Sequence, residues 1–349
     1  MKDKLKSARK SKGLRLREVA EALRVDASLV SKFEAGTRKP TRNQIITLAG
    51  LLGLDAHDLL IDWLSGQIID DIGHGDFALE VLSVAEQKVK YYTKADFKAA
   101  EDELKRVLKD VETLKRKLDK HRELDSYRVA QALELEYTFE SNRIEGNTLS
   151  LKETDLVVNE GITISGKSMR EHLEAINHQD AVGYLKELIH EDYDFCERDL
   201  LQIHALILKG IDAKNAGKYR EVQVMIKGSR HLPPQPYLVR KQMEDLFFWY
   251  QINKKNLHPI ILAAELSERL VTIHPFIDGN GRTSRLIMNL ILLKNGYVIA
   301  NIKGDVENRM HYYECLEKAQ VDSRKEDFHL FIAKEELNAL ERYCSILGI

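Results

Sequence analysis

Proline is scarce in this chain: six residues, none of them between Thr41 and Leu232. With the helix-breaking residue missing from that stretch, long uninterrupted helices are permitted there. Cysteine is scarcer still. Cys196, Cys315 and Cys344 are scattered, with no metal spacing and no disulfide framework. That excludes a cystine-stapled scaffold and fits a reducing cytoplasm. Long apolar runs are lacking too. The longest apolar patch, near Leu286–Leu293, is too short to span a bilayer, and Met1-Lys-Asp-Lys-Leu-Lys6 lacks an apolar signal region. Neither a membrane partner nor secretion is expected. A dominant charge sign is also missing, with a net charge of −2. Any attraction to nucleic acid must therefore come from a local patch. What remains is an ordinary soluble composition, 44% hydrophobic and 31% charged, whose 349 residues predict two or three domains.

Residues 1–66 supply such a patch. From Met1 to Asn43 there are thirteen Lys or Arg against five acidic residues, an excess of eight positive charges. Leu5, Ala8, Val19, Ala20 and Leu23 have helical spacing, and a second helix is expected after Asp26 as N-cap, ending at Gly36. Gly13-Leu14, Val19-Ala20, Ser28-Leu-Val-Ser31, Glu34-Ala-Gly36 and Arg38-Lys-Pro40 together resemble the helix-turn-helix family of phage repressors. The resemblance implies a five-helix DNA-binding domain whose helix beginning near Ala27 enters the major groove. Ala27, Ser28 and Lys32 then face base edges, while Arg15, Arg38 and Lys39 lie near phosphates. The chain departs from the family at Arg15-Leu16, where Thr-Gln is usual: Arg15 cannot cap a helix through an oxygen. The bland alternative is a helical bundle used only for protein contacts.

Residues 67–122 read as a helical linker or coiled-coil arm. Phe97, Leu104, Val111 and Leu118 fall seven apart, with Ala100, Val107 and Leu114 between them. The stripe suits either a short coiled coil, hence a homodimer, or an amphipathic helix packed on the next domain. Residues 123–349 read as helical with one interruption. Glu221-Val-Gln-Val-Met-Ile226 alternates, Lys227-Gly-Ser-Arg230 is a turn, and His231 to Pro236 returns extended, which predicts a β-hairpin with prolines limiting its pairing. The fold class expected is all-α with that hairpin as its exception.

The densest chemistry lies in His274-Pro-Phe-Ile-Asp-Gly-Asn-Gly-Arg-Thr-Ser-Arg285. Histidine can take a proton near neutral pH, and a carboxylate can hold a divalent cation. Gly279 and Gly281 allow a tight turn whose amides point at an anion, and Arg282 and Arg285 can clamp phosphate oxygens. This run meets every fixed position of the Fic motif, His-Pro-Phe-x-(Asp/Glu)-Gly-Asn-Gly-Arg-x-x-Arg. The resemblance extends over about residues 123–335. It takes in Glu145-Gly-Asn-Thr-Leu149, Gly166-Lys-Ser168, Gly217-Lys-Tyr-Arg220 and Tyr312-Tyr313, and is greatest to the animal-type adenylyltransferases.

The resemblance implies transfer of AMP from ATP to a Ser, Thr or Tyr hydroxyl of a target protein. His274 is then the general base, and Asp278 holds Mg²⁺ (or Mn²⁺). Gly279, Asn280, Gly281, Arg282, Thr283, Ser284 and Arg285 surround the phosphates. The hairpin is a flap that pairs with the target's backbone. Its Val224, Met225, Ile226 and Lys227 match residues lining the nucleotide pocket, and Gln320 matches an adenine contact that is Asn in some relatives.

Ser141-Asn-Arg-Ile-Glu145-Gly-Asn147 resembles the family's inhibitory motif. Ser141 and Glu145 lie four apart on one helical face, so Glu145 can reach Arg285 and keep it from the γ-phosphate. Two other readings stay open. One is a DNA-binding transcriptional regulator whose Fic domain senses nucleotide. The other is a Fic enzyme that transfers another phosphate-containing group or removes AMP. The kinase-like Doc branch carries Lys where this chain has Gly281, which disfavours phosphate transfer.

Overall fold

The computed structural model describes residues 2–73, 75–124, 127–189 and 193–349. Among these residues every regular element is helical. The chain divides into two compact units, Met1–Lys94 and Ala95–Ile349.

The first unit contains α1 (Lys2–Ser11), α2 (Leu16–Leu23), α3 (Ala27–Ala35), α4 (Arg42–Leu52) and α5 (Ala56–Ile72). They close around Leu5, Val19, Val30, Ile45, Leu48 and Leu59, each at most 2% exposed. Local chemistry sets the boundaries. Thr41 and Gln44 form a reciprocal capping box at the start of α4, and Asp55 accepts from the Asp58 N–H at the start of α5. Gly36 ends α3 in the left-handed region at φ 76°. Asp26 stands at the N-cap position of α3, but its side chain makes no capping hydrogen bond. Arg15 does not cap α2 either; Glu18 reaches back to the Arg15 N–H at 2.6 Å instead.

A long helix, α6 (Asp76–Asp119), leads into the second unit. Its apolar stripe is used there: Leu104, Val107, Val111 and Leu118 are buried in the core of that unit, and Leu114 packs against it. The side chain of Phe97 lies outside the described residues. A short 3₁₀ turn (Arg122–Leu124) precedes α7 (Tyr127–Ile144), α8 (Leu151–Glu160), α9 (Met169–Leu188) and α10 (Glu197–Ile207). After the flap come α11 (Pro236–Asn253), α12 (Pro259–Ile273), α13 (Asn280–Lys294), α14 (Val306–Val321) and α15 (Lys325–Leu347).

The hub of this unit is the pair α12 and α13. Helices α11, α14 and α15 pack on α12, while α7, α9 and α10 pack on α13. Both hub helices are buried along most of their length, polar residues included. The His274 run is the connection between them, so its ends are fixed by the best-packed part of the protein.

The expected β-hairpin is corrected. Residues 221–236 make an extended excursion and a turn, closed by the Ser229 N–H to the Ile226 carbonyl at 3.3 Å, without a strand ladder. Pro233 and Pro234 bring no N–H to a ladder. The arms are held by side chains instead: Gln223 donates to the Pro233 carbonyl at 2.9 Å, and Arg220 reaches the Val222 and Pro234 carbonyls at 2.9 and 2.6 Å.

Two further features bear on environment. All three cysteines are free, and among the described residues no helix is long and apolar enough to cross a membrane. Glu336 of α15 is fully buried and accepts the Val298 N–H at 3.1 Å, tying the segment after α13 to α15. Burial raises its carboxyl well above the usual range despite that bond. A raised folded pKa favours folding while the group is protonated, and this advantage over the ionised form is lost as pH climbs above the unfolded value. Glu336→Gln is therefore expected to gain in melting temperature relative to wild type as pH goes from 5 to 8. A constant difference across that range contradicts the assignment.

Candidate active site

Helix α12 begins with Pro259 at its first turn, where a missing N–H costs nothing, and the His258 side chain accepts from the Ile260 N–H. It ends at His274, which takes the left-handed conformation at φ 50° and donates its N–H to the Leu270 carbonyl. Such a conformation is uncommon for a residue with a Cβ and is characteristic of functional turns. It turns the chain sharply into the loop 275–279. Phe276 anchors that loop. It is fully buried and stacks on His204 of α10 at 3.6 Å with ring planes 7° apart. The Asn280 carboxamide closes the loop by accepting from the Phe276 N–H and donating to the Phe276 carbonyl. Gly279, at φ 77°, then opens α13, whose first amides have no intrahelical partner and point at the space beside His274.

The His274 ring Nδ1 faces the Val271 carbonyl at 3.3 Å, so Nδ1 carries the proton and Nε2 is left as the acceptor. Burial, together with the nearby Arg220 and His231, lowers its pKa to about 4, so the ring is neutral at physiological pH. Asp278 is held by three groups: Arg170 at 2.6 Å, the Gly279 N–H at 2.6 Å and Arg282 at 3.4 Å. Burial opposes ionisation, but these donors outweigh it and keep the carboxyl below its ordinary range. Arg282 is buried, with Nη1 3.3 Å from Glu174 and Nη2 3.4 Å from Asp278, while its Nε has no hydrogen-bond partner among the described residues.

Arg285 is 1% exposed. It pairs with Glu145 at 2.8 Å and donates to the Ser141 carbonyl at 2.8 Å and the Ser141 hydroxyl at 3.1 Å. Burial disfavours its charge, but Glu145 outweighs burial and the pKa is raised. Glu145 is placed by the end of α7. Gly146 turns at φ 97°, the Asn147 N–H bonds back to the Asn142 carbonyl, and Tyr313 donates to the Ile144 carbonyl at 3.2 Å. Asn142 and Asn147 fasten this turn to α9 through the Glu174 and Glu171 carbonyls.

A cavity of about 480 Å³ joins these groups. His274, Gly281, Arg285 and Glu145 line one side; Ile226, Lys227, Tyr313 and Gln320 line the other. Of the remaining expected nucleotide contacts, Gly279, Asn280 and Arg282 lie in or behind the loop. Thr283 and Ser284 are buried within α13, with Ser284 bonded to the Gly281 carbonyl. Val224 is half-buried, Met225 is 81% exposed, and neither lines the cavity.

Three supporting residues were given no role by the sequence reading, although Arg220 lies within a run that carries the resemblance. His204 accepts from the Gly217 N–H at Nδ1 and donates from Nε2 to the Asp278 carbonyl at 3.0 Å. Arg220 donates to the His274 carbonyl at 2.8 Å, and so ties the flap to the His274 turn. Glu317 of α14 holds the flap's tip through the Arg230 N–H and guanidinium at 2.8 and 2.7 Å. Each acts across tens of residues of sequence.

In the first unit, Arg15, Ser28, Lys32, Arg38 and Lys39 are exposed, while Ala27 is partly buried against the core. Lys39 is engaged by Asp70 and by the Gly66 carbonyl.

Comparison with known proteins bears on both units. The Fic/DOC family profile matches residues 194–292, and a helix-turn-helix domain profile matches residues 3–60. Protein adenylyltransferase fic-1 of Caenorhabditis elegans is 35% identical over 210 residues, covering 59% of this chain and 40% of that protein. Protein adenylyltransferase Fic of Nematostella vectensis is 38% identical over 186 residues, covering 53% and 43%. The chain thus spans under half the length of these curated relatives. Among solved structures, a fragment of C. elegans Fic-1 matches with a TM-score of 0.63 at 24% identity, covering 99% of this chain and 97% of that one. A Fic domain-containing signaling protein from Bacteroides thetaiotaomicron matches with a TM-score of 0.58 at 25% identity, covering 68% and 95%. The chain accordingly contains a Fic/DOC-family domain over residues 194–292, joined to a helix-turn-helix domain over residues 3–60.

Proposed function

We propose that this protein transfers AMP from ATP to a Ser, Thr or Tyr hydroxyl of a protein target, and that Glu145 holds the reaction off. The observation that carries the reading is the buried Arg285, paired with Glu145 in the cavity that His274 lines. A hydroxyl is a weak nucleophile and needs a base. His274 suits that role because Nε2 is unprotonated and Nδ1 is anchored. The attacking oxygen forms its bond to the α-phosphorus as the bond to pyrophosphate breaks, and the hydroxyl proton goes to Nε2. The α13 amides and the Arg282 guanidinium would stabilise the charge that develops. Arg285 would hold the γ-phosphate, and Glu145 competes with that anion for the same guanidinium.

Asp278 is the carboxylate that would hold Mg²⁺ or Mn²⁺. Its carboxylate is 40% exposed and held below its ordinary pKa, so it is ionised, and an ion there would compete with Arg170 for it. A bound ion would neutralise phosphate charge.

The exposed basic residues of the first unit support a second activity, DNA binding through α3, with Arg15, Arg38 and Lys39 on phosphates. Ala27 offers only apolar contact to a base, so Ser28 and Lys32 carry the readout in this proposal.

Glu145→Gly is expected to raise AMP transfer to itself or to a target by at least about tenfold, equivalent to about 1.4 kcal/mol, read by intact mass with ATP and Mg²⁺. An unchanged rate removes the brake. In that background His274→Ala should abolish transfer while ATP still binds. The pH profile follows from the lowered pKa: as His274 stays neutral down to about 4, activity should hold from pH 8 to pH 6 and fall only as the ring protonates below that. A loss centred near 6.5 contradicts the geometry. For DNA, Arg15→Ala with Lys32→Ala should weaken binding at least about tenfold and flatten its salt dependence, measured by mobility shift. Absence of any shift at low salt by the wild type ends the DNA reading.

A further inference from the structure

The second unit holds another cavity, which the proposed reaction does not use. It measures about 410 Å³ and lies between α7, the segment 297–303 after α13, and α15. Its walls are apolar where Leu133, Leu293 and Ala339 meet. Most charged groups around it already have partners. Lys303 and Arg342 both pair with Glu136, at 2.7 and 2.6 Å, and Glu134 pairs with Lys186 at 2.6 Å. Arg122 is engaged by Asp119 and by the Gly296 carbonyl.

Two acceptors remain. The Asn301 Oδ1 is buried with no hydrogen-bond partner among the described residues. The Glu335 carboxylate is half-buried, has no hydrogen bond or ion pair among those residues, and feels Lys303 only at longer range. A buried acceptor without a donor is costly, and a partly buried carboxylate without a close counter-ion favours a cation. The volume falls within the usual range of small-molecule sites, about 300–1,000 Å³. Apolar walls, one surplus carboxylate and one surplus amide oxygen are the complement of a donor-rich cation with an apolar body.

We propose that this cavity binds a small amphipathic organic monocation, its charged head on Glu335 and Asn301 and its body against Leu133, Leu293 and Ala339. Burial raises the Glu335 carboxyl to about 7, with Lys303 acting in the other direction. Arg122, Glu134 and Arg342 are the other charged groups that line the same space. A cation therefore binds the ionised carboxylate, and binding strengthens as pH rises through about 7.

The site also sits on the helix that ends at Glu145. Glu136 of α7 is held by Lys303 and Arg342 of the cavity wall, and Glu140 accepts the Gly304 N–H at 2.8 Å. Occupancy thus acts on α7, and through it on the Glu145–Arg285 pair; this last step rests on the inhibitory reading given above.

The test uses the full chain and three indoles of similar shape: tryptamine, neutral tryptophol and anionic indole-3-propionate, compared by calorimetry at pH 8. Tryptamine is expected to bind at least about tenfold tighter than tryptophol, a tenfold ratio being about 1.4 kcal/mol. That preference should vanish in Glu335→Gln and shrink at pH 5.5. No binding of tryptamine up to millimolar, equal binding of all three, or tryptamine binding unchanged in Glu335→Gln overturns the site. Glu335→Gln removes a carboxyl whose ionisation opposes folding, so its melting temperature at pH 8 should match or exceed the wild type's. Ala339→Trp, which fills the cavity from the α15 wall, should also abolish binding. Tryptamine should change AMP transfer by the wild type at least threefold and leave Glu145→Gly unaffected. Binding without that change overturns the coupling to α7 alone. A Glu145→Gly variant no faster than wild type overturns the inhibitory reading and leaves the binding result standing.

Discussion

Arg285 is a guanidinium at 1% exposure on a central helix, and it cannot be left uncompensated. Much of the surrounding architecture serves that requirement. Helix α7 packs on α13, and its last turn delivers a carboxylate, a hydroxyl and a backbone carbonyl to the same side chain. Gly281 gives the carboxylate room: a Cβ at that position would collide with Glu145 Oε1 and lie 3.1 Å from Arg285. One buried cation is therefore held by the chain's own glutamate. In the function proposed above, a nucleotide phosphate would compete with Glu145 for it.

The reacting groups are positioned from a distance. His204 fixes the Asp278 carbonyl with one ring nitrogen and stacks on Phe276 with its face, while Arg220 grips the His274 carbonyl and both arms of the flap. Burial lowers the pKa of His204 to about 4, so it stays neutral and keeps one donor and one acceptor at physiological pH. The His274 turn is held by polar contacts from α10 and the flap. Nε2 of His274 is left as an acceptor, and the function proposed above uses it as the base.

Several features were legible in the residues. Helices without internal proline run where expected, and Gly36 ends α3 as read, while Asp26 stands at its N-cap position without making the capping hydrogen bond. The i,i+4 spacing of Ser141 and Glu145 announced a shared face, and the structure shows both on Arg285. The flap was misread as a hairpin. Alternating residues signal an extended segment, yet whether its edges pair depends on N–H groups that the prolines remove and on Arg220, which takes the carbonyls instead.

The sequence by itself determined the identity and order of the reactive groups, because a turn of His, Asp, two Gly and two Arg is a local pattern fixed by backbone geometry. It also marked helix ends such as Gly36, where a left-handed terminus favours glycine. Only the tertiary structure decided which of these groups are spent and which are available. Arg285 is occupied by Glu145 140 positions away, and Asp278 by Arg170 108 positions away. Thr283 and Ser284 are buried beneath the loop rather than facing the cavity. Partner choice among buried charges depends on which helices pack together, and sequence spacing carries no record of that.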